Sequence, residues 1–273
     1  MEVVVVGGGR MGEALVGGLL ATASIPPEEI GVVEVSAARR DALAARFPDL
    51  QLSPVVELAA AASGAVVAVK PPDASGAVGS LASLERPPAR VLSIAAGVRL
   101  AALEAASRGT FPVLRAMPNL AAVVGASATG LAASGREEDL SWAEGVLAAL
   151  GTVTRVPEKL LDAVTALAGS GPAYLFLVAE AMVEGGVLAG LPREAASQLV
   201  RQTFLGSARL LVETEESPEG LRGAVTSPAG TTAAGLRVLE GRAVRAAFLD
   251  AIDAAAARAG ELGGPVSHEP GRS

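Results

Sequence analysis

The chain is expected to be an α/β protein: an N-terminal Rossmann-like, doubly wound sheet followed by an all-helical domain. Three observations predict this. Val3-Val4-Val5-Val6 is an unbroken β-branched run, the pattern of a strand buried on both faces of a parallel sheet. Gly7-Gly8-Gly9-Arg10-Met11-Gly12 follows at once and opens a helical pattern. After Pro157 the strand pattern stops, and every long segment has helical periodicity.

The glycine motif has a direct physical reading. Gly7 makes the tight turn, Gly9 lets a pyrophosphate approach the backbone, and Gly12 packs helix on strand. Arg10 and Met11 complete the cradle at the helix start. A second strand is expected over residues 30–35. Glu34 then falls where an acid would hold the ribose diol of NAD. Ser36, Arg39 and Arg40 follow directly and suit a 2′-phosphate instead, or else form a solvated first helical turn. A third buried strand, residues 65–69, runs into Lys70-Pro71, where proline turns the chain at the carboxyl end of the sheet. Lys70 is either a phosphate neutraliser or a surface lysine. Residues 91–95 and 113–117 form the next strands, ending at Ala96-Gly97 and Pro118-Asn119. Short runs over 126–131 and 153–156 flank a helix that carries Trp142, the one tryptophan, read as packing.

The helical half is expected over 159–168, 172–188, 193–213, 231–239 and 243–262. Pro172 and Pro192 sit at helix starts, where proline is tolerated. These readings divide the chain into a dinucleotide-binding domain, 1–157, a helical substrate and dimerisation domain, 158–262, and a flexible tail, 263–273. Segment 172–188 is apolar nearly all round, broken chiefly by Glu180 and Glu184. Such a helix must be buried from all sides, and a small helical domain has little interior to hide it. A second copy packed about a two-fold axis resolves the conflict, so a homodimer or higher homo-oligomer is expected.

Composition removes several function classes. Of 273 residues, 51% are hydrophobic, yet there are only one Trp, one Tyr and five Phe. The interior must therefore be built from small aliphatic side chains. A net charge of −7 argues against nucleic acid or an anionic membrane as partner. With no cysteine there is no disulfide, thiolate nucleophile or cysteine metal site. The single histidine, His268, falls in the tail and reads as solvated, so no zinc site is expected. No apolar run is expected to reach the length of a membrane span, and no basic leader precedes the first strand. A cytoplasmic protein is the expectation.

One further stretch stands out. Val225–Leu236 gathers Thr226, Ser227, Thr231 and Thr232 around Pro228 and Gly230, directly before an apolar helical pattern. A hydroxyl-rich turn feeding a helix N-terminus suits a small carboxylate or phosphate, and it also suits an ordinary Ser/Thr cap. In its wider wording, LRGAVTSPAGTTAAGLRVLE, residues 221–240, resembles the signature of the pyrroline-5-carboxylate reductase family. That family usually has glycine where this chain has Ala229. Residues 30–40, AVKP at 68–71, SIAAGV at 93–98, RAMPN at 115–119, residues 162–176, 190–196 and 202–211 are similar as well. The resemblance spans about residues 1–262. The family commonly continues MPN with Thr-Pro, where this chain has Leu120-Ala121.

The resemblance implies reduction of the imine of 1-pyrroline-5-carboxylate to L-proline, with NADPH as the reductant and NADH as the alternative. It implies that Ser227, Gly230, Thr231 and Thr232 hold the substrate carboxylate, with Thr232 at the ring nitrogen. It places Glu215 near that nitrogen and Asn119 on the cofactor side, and it lays Ala68, Val69, Lys70, Pro71, Ala95 and Gly97 along the cofactor. It also implies dimerisation through the helical domain. The chemistry suits the residues present. An imine is basic enough to be protonated by solvent, so positioned hydroxyls and amides suffice, and catalysis is mainly proximity. Hydroxyacid dehydrogenases with a catalytic mid-helix lysine share the two-domain plan. Here the only lysines are Lys70 and Lys159, and neither lies mid-helix in the second domain. Reduction of a different cyclic imino acid and a non-catalytic nucleotide-binding role remain the two alternatives.

Overall fold

The computed structural model describes residues 1–264. The residues expected to form the rest of the tail, with His268, lie outside the described residues. The chain divides into two compact units: Met1–Ser170 together with the chain from Ala254 onward, and Gly171–Asp253.

The first unit is built on one eight-stranded sheet, in the order β3-β2-β1-β4-β5-β6-β7-β8. Its strands are β1 Val3–Val6, β2 Ile30–Val33, β3 Gln51–Ser53, β4 Gly64–Val67, β5 Val91–Ser93, β6 Val113–Met117, β7 Ser127–Ala132 and β8 Gly151–Val156. The sheet is parallel from β3 through β6. β7 then runs antiparallel to β6, and β8 parallel to β7. β1 lies between β2 and β4, so the chain order reverses there. That is the switch point at which ligands bind beyond the carboxyl ends of the strands.

Both faces of the sheet are covered. β1, β2 and β4 are buried along their whole length, as continuous Val-rich runs require. On one face Leu15, Val16 and Leu19 of helix α1, Arg10–Ala21, join Leu140, Val146 and Leu147 of helix α5, Glu137–Ala148. On the other face Val78 and Leu81 of α3, Pro71–Ala82, pack with Leu100 and Leu103 of α4, Leu100–Ser107. Small side chains let these layers approach closely. A Cβ on Gly64 would collide with the indole of Trp142, so the lone tryptophan is a packing residue seated on a glycine of β4.

β3 was not anticipated. It is three residues long, polar at Gln51 and Ser53, and lies at the sheet edge, so it has almost no periodic signal. The expected helix over 159–168 is also more varied. It opens with a 3₁₀ turn, Glu158–Leu160, continues as one α-turn, α6 Leu161–Val164, and widens into a π-turn, Thr165–Gly169. The widening shows in the bond from Ser170 N–H to Thr165 carbonyl at 2.8 Å. Two ion pairs hold this segment on the sheet. Arg115, buried in β6, donates to Glu158 at 3.0 Å, and Arg99 donates to Asp162 at 2.7 Å.

The second unit contains α7 Gly171–Leu188, α8 Arg193–Glu213, α9 Pro218–Ala224, α10 Thr231–Gly241 and the first turns of α11, Val244–Leu262. α9 was missed in the sequence because it is short. Its signal was present: Ser217 accepts from Gly220 N–H at 3.1 Å, with Pro218 at the first helical position. α7 packs against α8, yet no residue of α7 is buried within the chain. Phe176 is 58% exposed and Leu188 90% exposed, and Leu199 and Leu205 of α8 are exposed too. The expectation that no apolar run reaches membrane-span length does not hold. Helical geometry begins at Glu158, and the 31-residue run to Leu188 holds an 18-residue stretch of mean hydropathy 1.4, long and apolar enough to cross a membrane by length and composition.

Candidate functional site

The expected cofactor residues gather at the carboxyl ends of four neighbouring strands. Gly7–Gly12 follow β1, Glu34–Arg40 follow β2, Ala68–Pro71 follow β4, and Ala95–Gly97 follow β5. The ladder continues one residue past the strands and draws these loops together. Gly7 N–H donates to Val33 carbonyl and Ala68 N–H to Val6 carbonyl, both at 2.8 Å.

The three motif glycines have different surroundings. Gly7 has φ +107°, a conformation open to glycine, and a Cβ there would meet the Ala68 backbone at 2.9 Å. A Cβ on Gly12 would collide with Gly7 carbonyl and press on Val5 at 3.2 Å. A Cβ on Gly9 meets nothing within 4 Å. Gly9 is the N-cap of α1, with no side chain capping it, so the amides of the first helical turn are left open by helix geometry. An open cradle at the positive end of a 12-residue helix fits a dinucleotide pyrophosphate. Arg10 and Met11 form the first turn there. Gly97, φ +75°, turns the chain after β5, and Ala95 is buried. Lys70 is exposed at the N-cap of α3, with Pro71 next to it at the first helical position.

The acid and the arginines after β2 are engaged with the protein itself. Glu34 accepts from Gly8 N–H at 2.9 Å through one carboxylate oxygen and from Ser36 N–H at 2.8 Å through the other. Gly8 therefore spends its amide on Glu34. Ser36 caps helix α2, Ala37–Arg46, by accepting from Arg39 N–H at 3.4 Å. Arg39 Nε donates to Gly8 carbonyl at 2.5 Å, and its head pairs with Glu13. Arg40 donates to the carbonyls of Glu34, at 2.7 Å, and Val35, at 2.9 Å. Neither arginine is the freely solvated helical turn that the sequence also allowed. Glu13 was not singled out in the sequence, where an acid in a first helical turn looks ordinary. It pairs with both Arg39 and Arg46. Burial would raise its pKa, but the hydrogen bonds from the two arginines outweigh that and hold the carboxyl below its usual range.

Asn119 is half-buried and acts as a structural cap. Its Oδ1 accepts from Ala121 N–H at 3.1 Å, and its Nδ2 donates to Ala168 carbonyl at 3.0 Å, in the π-turn. Leu120, in the place of the family's threonine, is exposed at the start of the 3₁₀ turn Leu120–Val124.

In the helical unit the hydroxyl turn sits between α9 and α10. Gly230 is the N-cap of α10, and no side chain caps it, so the Ser/Thr-cap reading fails here. The N–H groups of Thr231, Thr232 and Ala233 are left open by helix geometry, at the positive end of the helix. A Cβ on Gly230 would collide with Ser227 Oγ, so glycine is required for the serine hydroxyl to tuck beside the helix start. Thr226 donates instead to Arg222 carbonyl at 2.6 Å, away from the opening. Glu215 is exposed in the loop after α8, at φ +54°. Ala229 has φ +58°, so the methyl that replaces the family's glycine sits in the left-handed region.

A family description, pyrroline-5-carboxylate reductase dimerisation, matches residues 158–262 of this chain. A pyrroline-5-carboxylate reductase of Synechocystis is 45% identical over 269 residues, covering 96% of this chain and 98% of that one. The chain belongs to the pyrroline-5-carboxylate reductase family. Another reductase of this name, from Methanosarcina acetivorans, is 40% identical over 94% of this chain and 96% of its own. A second family description, NADP oxidoreductase coenzyme F420-dependent, matches residues 2–97. Among solved structures, a pyrroline-5-carboxylate reductase from Coxiella burnetii superimposes with a TM-score of 0.90 at 35% identity, covering 97% of this chain and 99% of that one. A Plasmodium falciparum pyrroline carboxylate reductase with NADP bound gives 0.82 at 26% identity, covering 97% and 98%.

The glycine surroundings separate folding from binding. Gly12→Ala should lower the thermal midpoint, since overpacking against backbone typically costs about 1–3 kcal/mol. Gly9→Ala should melt like the wild type and lose dinucleotide affinity in a fluorescence titration. A left-handed alanine costs about 1–2 kcal/mol, partly offset by the greater chain entropy of glycine. Ala229→Gly should accordingly stabilise the protein by up to about 1 kcal/mol in reversible denaturation, and raise turnover if the strain reaches the hydroxyl turn.

Proposed function

We propose that this protein reduces 1-pyrroline-5-carboxylate to L-proline with NAD(P)H. One observation carries the reading: the uncapped start of α10 presents open amides beside the hydroxyls of Ser227, Thr231 and Thr232. That set binds a carboxylate and orients a nitrogen without any titratable side chain. Membership of the reductase family supports the same reaction.

In this reading the amides of Thr231 and Thr232, with Gly230 and Ser227 shaping the turn, hold the substrate carboxylate. The Thr232 hydroxyl hydrogen-bonds at the ring nitrogen, which has taken a proton from solvent. A nicotinamide cofactor held at Gly7–Gly12 would supply the hydride that reduces the imine carbon. The C=N bond becomes a single bond, and its electron pair is retained on nitrogen as the amine. Glu215 contributes negative charge that favours the protonated ring nitrogen. Asn119 acts through its cap, by holding the turn after β6 against the π-turn.

NADPH is the proposed reductant, with Ser36 and Arg40 on the 2′-phosphate. Arg40 is fixed on the strand-end carbonyls through a single guanidinium nitrogen, which leaves its other N–H groups to donate. The exposed apolar faces of α7 and α8 are proposed to close on a second copy, which also accounts for the long apolar run as a dimer helix.

Steady-state turnover of pyrroline-5-carboxylate with each cofactor tests the reaction. Proline formation at a higher kcat/KM for NADPH is expected, and binding of dinucleotide without turnover would leave the non-catalytic alternative. Thr232→Ala should lower kcat by about 10²–10⁴-fold, while Thr232→Ser keeps much of the activity. Light scattering at micromolar concentration should give at least a dimer, and a well-folded monomer would contradict the assignment of α7.

A further inference from the structure

Three successive glycines, Gly7 to Gly9, have the least intrinsic backbone preference of any sequence. Peptide planes between glycines flip readily, and a flip reverses the direction of an amide. A loop that must present an amide to a phosphate therefore needs its peptide planes fixed by outside partners. Two such grips are present, one on each side of Gly8. Glu34 accepts from Gly8 N–H at 2.9 Å and fixes the Gly7–Gly8 plane. Arg39 Nε donates to Gly8 carbonyl at 2.5 Å and fixes the Gly8–Gly9 plane. In a trans peptide the carbonyl and the next N–H point in opposite directions. Holding Gly8 carbonyl toward Arg39 thus aims Gly9 N–H away from it, at the N-cap of α1, where a Cβ would find open space.

An arginine at the start of α2 has many rotamers, and its side chain is partly exposed. Something must keep it on that carbonyl. Glu13, on the first turn of α1, pairs with the head of Arg39 and is braced on its other oxygen by Arg46 from the end of α2. Glu13 N–H donates to Gly9 carbonyl at 2.8 Å, so the same residue is rooted in the loop that it supports.

We propose that Glu13 is a positioning residue for the dinucleotide: braced by Arg46, it holds Arg39 on Gly8 carbonyl and so keeps Gly9 N–H turned toward the pyrophosphate. The inference rests on the reading of the glycine loop as the dinucleotide site. It also assigns the adjacent arginines different tasks, Arg39 to the loop and Arg40 to the 2′-phosphate. A lone acid beside a phosphate site would repel the ligand. Here two arginines outweigh its charge, so the acid serves geometry at no net electrostatic cost to the anion.

The test is a double-mutant cycle on the full chain, read by direct titration with NADPH and with NADH in the absence of imine. Glu13→Gln should weaken both cofactors alike by about three- to tenfold, the range of one partly exposed charge-assisted contact. In turnover the loss should fall on KM for the cofactor rather than on kcat. Glu13→Gln added to Arg39→Ala should produce little further loss, because its effect passes through Arg39. A selective loss of NADPH would overturn the proposal by placing Arg39 on the 2′-phosphate. Tighter binding of both cofactors would overturn it by showing that the charge of Glu13 dominates. Additive losses would mark Glu13 as merely structural, and a wild type that binds neither dinucleotide would remove the site itself. Because the titration omits imine, failure to turn over pyrroline-5-carboxylate leaves this test intact and refutes only the reaction.

Discussion

The structure depends first on how closely β1 and β4 approach beyond their ends. Ala68 N–H reaches Val6 carbonyl, and Gly7 N–H reaches Val33 carbonyl, so the ladder runs on into the loops. That approach leaves no room for a side chain at Gly7 and sets its positive φ. With Gly7 fixed, α1 can start at once and Gly12 can rest on Gly7 carbonyl. The helix then points its open end over the switch point of the sheet. The open glycine cradle is therefore a by-product of strand packing.

Much of this was readable in the chain. The Val3–Val6 run, the glycine spacing and Pro71 each have a local physical cause, and each lies where that cause puts it. Elements with weak local signals were lost: β3 is too short and too polar, α9 too brief, and the π-turn at Thr165–Gly169 has no periodicity of its own. The occupied state of the charged groups was not legible either. Arg40 bonds locally, to the carbonyls of Glu34 and Val35, but the bonds of Gly8 to Glu34 and of Arg39 to Gly8 and Glu13 join residues far apart in the chain, and Glu13 becomes visible only when α1 and α2 lie side by side.

The helical unit shows the opposite balance. Its long helices follow directly from periodicity, but an interior is barely present within the chain, since α7 has no buried residue and α8 buries only Ala196 and Val200. Packing small residues against each other cannot hide so much apolar surface. The hydroxyl turn is a small irregularity in that regular unit. Its helix start lacks a capping side chain at Gly230, and the alanine before it, Ala229, stands in the left-handed region.

The ends of the sheet carry a separate consequence. An eight-stranded open sheet has two rims where unpaired backbone groups invite another strand. One rim is β3, only three residues long. The other is β8, longer, but with Arg155 near its end bound to both Glu137 and Glu144 of α5. A short rim offers little ladder, and a rim guarded by a clustered charge network resists continuation. Growth of this sheet from molecule to molecule is thereby blocked at both sides. The apolar surface left exposed lies instead on the helices, at Phe176, Leu188, Leu199 and Leu205 among others.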